Sequence, residues 1–179
     1  MRVFAGIGAV AIATLSMAQP SKPLGGMECR VLQIAIAFAL HDSTQPRKTA
    51  GWLLYSKTVS PWPGWNKYSQ AQRERQVQQA GAALAYSPES LAVLAGAQGR
   101  DVPRCPAELV RVRWLAEVPA NQSDTSIVEV SSVAFSPDSS VAIVSVGWSN
   151  RWVGQGMLLR LDLKKGSWVV SKQADTWME

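Results

Sequence analysis

The sequence offers few side chains with obvious chemistry. Its single histidine, His41, stands beside Asp42 and Ser43. Hydroxyl, base and carboxylate are the three groups of a nucleophilic hydrolase. A catalytic triad is a spatial arrangement, however, and consecutive residues rarely satisfy it. His41 is therefore read as the last turn of a helix, where the dipole tolerates a cation. Gly154-Gln155-Gly156 has the spacing that opens a phosphate cradle. It falls between two expected antiparallel strands, with no helix start to supply aligned N–H groups and no Lys-Ser/Thr after it. The expectation is a hairpin loop needing positive φ. Two carboxylates for glycoside hydrolysis leave no spacing signature, and 13 acidic residues make any particular pair arbitrary. Cys29 and Cys105 with one histidine do not make a zinc site of standard spacing. No metal or cofactor is expected.

The tryptophans are the better lead. There are 8 in 179 residues. Trp114, Trp168 and Trp177 fall in expected strands and read as core. Trp62, Trp65, Trp148 and Trp152 fall in or beside loops. An exposed indole gives a flat face for a sugar, an arginine or a protein hot spot. Arg151, between Trp148 and Trp152, adds a charged donor. Trp148, Arg151 and Trp152, with Trp62 and Trp65, are thus the candidate binding residues. The competing reading is that these rings cap the ends of the core.

The elements that must position them can be read from pattern. Residues 28–40 are apolar on nearly every side and suit a centrally buried helix, stopped by Pro46. Residues 51–59 suit a short strand. The PWPGW stretch at 61–65 is a stiff loop. Ser69 and Gln72 form a capping box for an amphipathic helix over 70–85. Ser87, Pro88 and Glu89 start another, which Gly99 can close. Residues 109–118 alternate as a half-wet strand, and 119–125 form a polar linker. Four strands then follow, over 126–135, 141–148, 155–163 and 168–177. The turn Ser136-Pro137-Asp138-Ser139 and the turn around Lys165-Gly166 make them a meander. The unit resembles one propeller blade, but a propeller needs at least four. The fold class is α+β: two or three helices on an antiparallel sheet of about five or six strands.

Phe135, Asp138, Val146-Gly147, Gly154, Gly156, Leu158-Leu159, Lys165-Gly166-Ser167-Trp168 and Thr176-Trp177 carry a resemblance. This pattern, about a quarter of the chain, resembles the C-terminal part of a group of uncharacterised exported bacterial α+β proteins. The resemblance implies the fold and an exported life, and no activity. In this chain residues 148–152 stand where those proteins tend to have cysteine, which argues against a metal or redox role for that loop.

The N-terminus points to export as well. Arg2, an apolar run over 3–15 and the small residues Ser16 and Ala18 make a signal peptide over 1–18, cut after Ala18. The run is short of a membrane span. A lead-in over 19–26 and one domain over 27–179 complete the organisation. Export makes a Cys29–Cys105 disulfide the expectation, with two buried thiols as the alternative. The formal charge of +5 is scattered, which suits a solvated surface or an anionic partner. Nucleic acid is not expected, because no recognition motif is present. The function expected is a periplasmic or secreted binding, inhibitor or envelope-accessory protein without catalysis. Its partner would be another envelope or secreted protein. The alternative is a protein that binds or hydrolyses cell-wall glycan.

Overall fold

The computed structural model describes residues 25–41, 53–102, 105, 113–115, 127–149 and 153–178. The expected signal peptide, the polar linker and both Arg151 and Trp152 lie outside them.

The fold is α+β. Helices α1 (Gly25–His41), α2 (Gln70–Leu84) and α3 (Pro88–Gly96) accompany strands β1 (Leu53–Tyr55), β2 (Arg113–Leu115), β3 (Ile127–Val130), β4 (Ala134–Phe135), β5 (Val141–Ser149), β6 (Gly154–Lys164) and β7 (Ser167–Met178). Among the described residues the sheet runs β2-β1-β3-β5-β6-β7, with β4 beside β5. β3, β5, β6 and β7 pair antiparallel in sequence order, as the turn chemistry requires. Lys165 (φ 50°) and Gly166 (φ 79°) are both left-handed, the conformation that turns β6 tightly into β7.

Three details differ from the sequence expectation. The sheet is mixed, because β1 is parallel to both β2 and β3. The chain between β1 and β2 passes through α2 and α3, and such a crossover returns it to the same end of the sheet. The strand expected over 126–135 is two strands. At the break the Ser145 N–H donates to Ser131 Oγ (2.8 Å), so a hydroxyl stands in for a ladder carbonyl. α3 stops at Gly96 rather than at Gly99.

The helices divide between the two faces of the sheet. α1 lies on one, burying Cys29, Leu32, Ile36 and Ala39 at helical spacing. Arg30 and Ala37 on its other side are exposed, so α1 is a covering helix and not a central one. Beneath it lie Ala142, Val144 and Val146 of β5 and Met157, Leu159 and Leu161 of β6. Cys29 is bonded to Cys105, with Cα atoms 5.4 Å apart. The opposite face carries α2 and α3, whose Val77, Leu84, Leu91 and Leu94 pack over Ile143 and Leu158. Ser69 and Gln72 make the expected capping box of α2, and the Ser87 hydroxyl accepts from the Ser90 N–H at the start of α3.

Candidate functional site

Of the candidate tryptophans, Trp62, Trp65 and Trp148 are not displayed as a surface. Trp62 is 1% exposed and Trp65 8%. Their rings stack at 5.1 Å beneath α2, and the Arg73 guanidinium lies 5.7 Å from the centre of the Trp65 ring. Gly64, with φ 72°, turns the PWPGW chain so that both indoles point inward. A Pro/Gly loop rich in tryptophan is here a plug for the core, and the expectation of exposed faces at Trp62 and Trp65 is corrected. Trp148 is in β5, opposite Val128 and Gln155, and is buried too. Each indole removes so much apolar area from water that burial prevails wherever the fold provides a cavity. Trp168 is buried against Phe135, with ring centres 5.9 Å apart. His41 ends α1, and Asp42 and Ser43 lie outside the described residues.

Gly154 and Gly156 also have a different role from the one expected. They belong to β6, and neither has positive φ. With Gly147 of β5 they form a floor under the indole of Trp177. A Cβ added at Gly156 would lie 2.0 Å from Trp177 Nε1, one at Gly154 2.5 Å from Cζ3, and one at Gly147 3.1 Å from Cζ2. The glycines are needed for close approach of a ring and not for a turn. The partner is about twenty residues away, which no local motif reveals.

A groove of about 350 Å³ opens between α3 and β4. Leu94, Val133, Ala134 and Phe135 make its apolar floor, and Val93, 73% exposed, stands at its rim. Tyr86, Ser90, Ser132 and Arg100 supply its polar groups. The wall carrying Arg100 is fixed by Thr58, a buried hydroxyl that does two jobs. Thr58 Oγ1 donates to the Ala97 carbonyl (3.1 Å) and accepts from the Arg100 N–H (3.0 Å). The backbones join as well, Thr58 N–H to Arg100 O at 2.7 Å and Gly99 N–H to Thr58 O at 2.8 Å. The Ser132 hydroxyl donates to the same Ala97 carbonyl (3.2 Å), which ties β4's approach to the end of α3. A Lys57–Asp101 ion pair at 2.6 Å closes the outer side.

Arg100 itself makes no side-chain hydrogen bond or ion pair with any described residue, unlike Arg160 nearby. The Arg160 guanidinium donates to Asp162 Oδ1 (2.9 Å) and to the Leu84 and Ala85 carbonyls, closing the C-terminus of α2. Burial pushes the Tyr86 phenol up, with the Arg160 charge opposing, so it is a hydrogen-bond donor at neutral pH. The groove therefore offers an apolar seat, hydroxyls and a cation that is uncommitted among the described residues. Sequence reasoning missed it, since its lining comes from two stretches, 86–100 and 132–135, that are distant in the chain, and each residue alone is unremarkable.

Among the described residues no cluster of His, Cys, Asp or Glu could hold a metal ion, and no helix is long and apolar enough to cross a membrane. The chain matches no protein-family model, no curated protein and no solved structure.

Proposed function

We propose that this protein is an exported binding module that grips a partner protein without transforming it. The observation that carries this reading is the α3–β4 groove with the Arg100 guanidinium, unpaired among the described residues, at its wall. Its volume is at the lower end for a ligand site, and its lining is the usual mixture of apolar floor and a few oriented polar groups. A bulky apolar side chain of the partner fills the floor over Leu94 and Phe135. A neighbouring carboxylate meets Arg100, whose planar fork suits bidentate contact. Export is supported by the N-terminal sequence pattern and by the Cys29–Cys105 bond, which suits an oxidising compartment. An inhibitor or envelope-accessory role is the natural use of such a module.

A displayed random-peptide library panned on the disulfide-bonded protein tests this. Enriched peptides are expected to place an Asp, Glu or C-terminal carboxylate close to an aromatic or large aliphatic residue. Arg100→Glu should weaken them by about a hundredfold in fluorescence polarisation, since a charge-assisted contact becomes a repulsion. Peptides that bind wild type and Arg100→Glu equally well would sink the proposal.

A further inference from the structure

The opposite end of the α2–α3 face carries a second arrangement. The registers place four residues in one row across the sheet: Glu129 opposite Gly147, Gly147 opposite Gly156, and Gly156 opposite Trp177. Directly opposed residues share a face, so Glu129 and Trp177 stand on the same side with two glycines between them. The indole crosses that gap. Its Nε1 edge is over Gly156, and its six-membered ring reaches Gly154 and Gly147. Gly147 is the direct cross-strand neighbour of Glu129, so the carboxyl-bearing side chain and the far edge of the indole are adjacent. Trp177 is half-buried and is not among the side chains packed on the Trp62–α2 cluster.

From this geometry we infer that Glu129 and Trp177 form a receptor for a cationic group, a guanidinium or an ammonium, separate from the groove at Arg100. The indole, backed by glycine, presents an aromatic face, to which cations are attracted. The Glu129 carboxyl makes no hydrogen bond or ion pair with any described residue. Burial pushes it above its ordinary value, and no charge opposes the shift. A desolvated carboxyl without a counter-charge is costly, and an arriving cation supplies the missing partner. A sugar ring could also stack on an indole, but it needs several donors and acceptors around its rim. Here the row offers one carboxyl and the Trp177 N–H.

The test is a titration of the intact disulfide-bonded protein with Nα-acetylarginine methylamide, followed by NMR at the Gly147 and Gly156 amides. The citrulline analogue serves as its neutral isostere. The expected result is saturable binding of the arginine probe, with citrulline at least about tenfold weaker, a ratio that reports the charge. Glu129→Gln, which removes a buried charge and so is not expected to unfold the chain, should lose binding by about the same factor. Trp177→Phe, which keeps a ring, should weaken binding by only a few-fold. Repeating the titration with butylamine and with an arginine-containing pentapeptide separates a small amine from a protein side chain as the source. Equal binding of arginine and citrulline, equal binding by wild type and Glu129→Gln, or no shift with the arginine probe would each overturn the proposal. Saturation by chitohexaose that survives Glu129→Gln would overturn it in favour of a sugar platform.

Discussion

The two faces of the sheet are built by different rules. Under α1 the contacts are mainly aliphatic, Val144, Val146, Leu159 and Leu161 against Leu32, Ala35 and Ile36, with Trp168 and Phe135 in the same cluster, and a disulfide fastens the cover. On the other face aliphatic packing covers only the middle, at Ile143 and Leu158. Beyond it lie tryptophans, three glycines, a carboxyl without a partner among the described residues and a groove walled by Arg100. The regular face has spent its polar groups or never had them. The irregular face holds charges with no partner among the described residues, and those are the groups on which the proposals above rest. The contrast teaches that searching for function by residue type alone, as with the tryptophans, selects bulk. Searching for uncommitted polar groups selects different candidates.

The contrast can be broken first at its covalent fastening. Replacing both Cys29 and Cys105 by serine is expected to lower stability by about 4 kcal/mol, the chain-entropy value for so long a loop. Urea denaturation would measure it. If the α1 face holds through packing alone, the loss will be much smaller, and the distinction between a fastened and an unfastened face disappears. Gly156→Ala should come next, at about 3 kcal/mol, because its Cβ cannot share space with the Trp177 indole. Adding Trp177→Ala to Gly156→Ala should cost far less than the two losses together. Additive losses would mean that the ring does not rest on that glycine.

The smallest effects are in pH dependence, and they have opposite signs. Glu129 is raised from 4.5 by burial, so the folded chain holds that proton more tightly than the unfolded chain does. Its favourable contribution is complete below 4.5 and is lost as pH rises through the folded value. Glu129→Gln should therefore gain stability over wild type between acid and neutral pH. Asp138 is held at about 2 by the Ser136 and Ser140 hydroxyls and the Ser140 N–H. Its contribution is present above 3.8 and is lost as pH falls towards about 2. Asp138→Asn should flatten that acid limb. Thermal melts of the two variants across pH 2–8 check both slopes, and slopes of the same sign would contradict the environments described for these carboxyls.

Local chemistry was legible in the sequence, and long-range geometry was not. The Ser69–Gln72 box, the Ser87-Pro88 start, the turn at Asp138 and the tight turn at Lys165-Gly166 each involve residues a few positions apart, and all read correctly. The Cys29–Cys105 bond was legible because an expected compartment limited the choice. The parallel placement of β1 was hidden, since a three-residue strand carries no record of its neighbours. The role of Gly154 and Gly156 was hidden because the ring that demands them follows some twenty residues later. Trp62 and Trp65 misled because a loop with proline and glycine can point its aromatics either way. The Arg100 groove depends on Thr58 reaching across about forty residues, which leaves no pattern to find.

The Cys29–Cys105 bond has a mechanical consequence. Residues 30–104, which contain most of α1, all of β1, α2 and α3, and the Thr58–Arg100 wall, form a covalent loop that opens only where it leaves and rejoins the chain. Tension applied at the two ends of the protein passes from Cys29 to Cys105 through the sulfurs and does not run along that loop. Stretched in a force spectrometer, the oxidised protein should extend by the length of the outer segments alone. Only after reduction should the contour length of the inner loop appear.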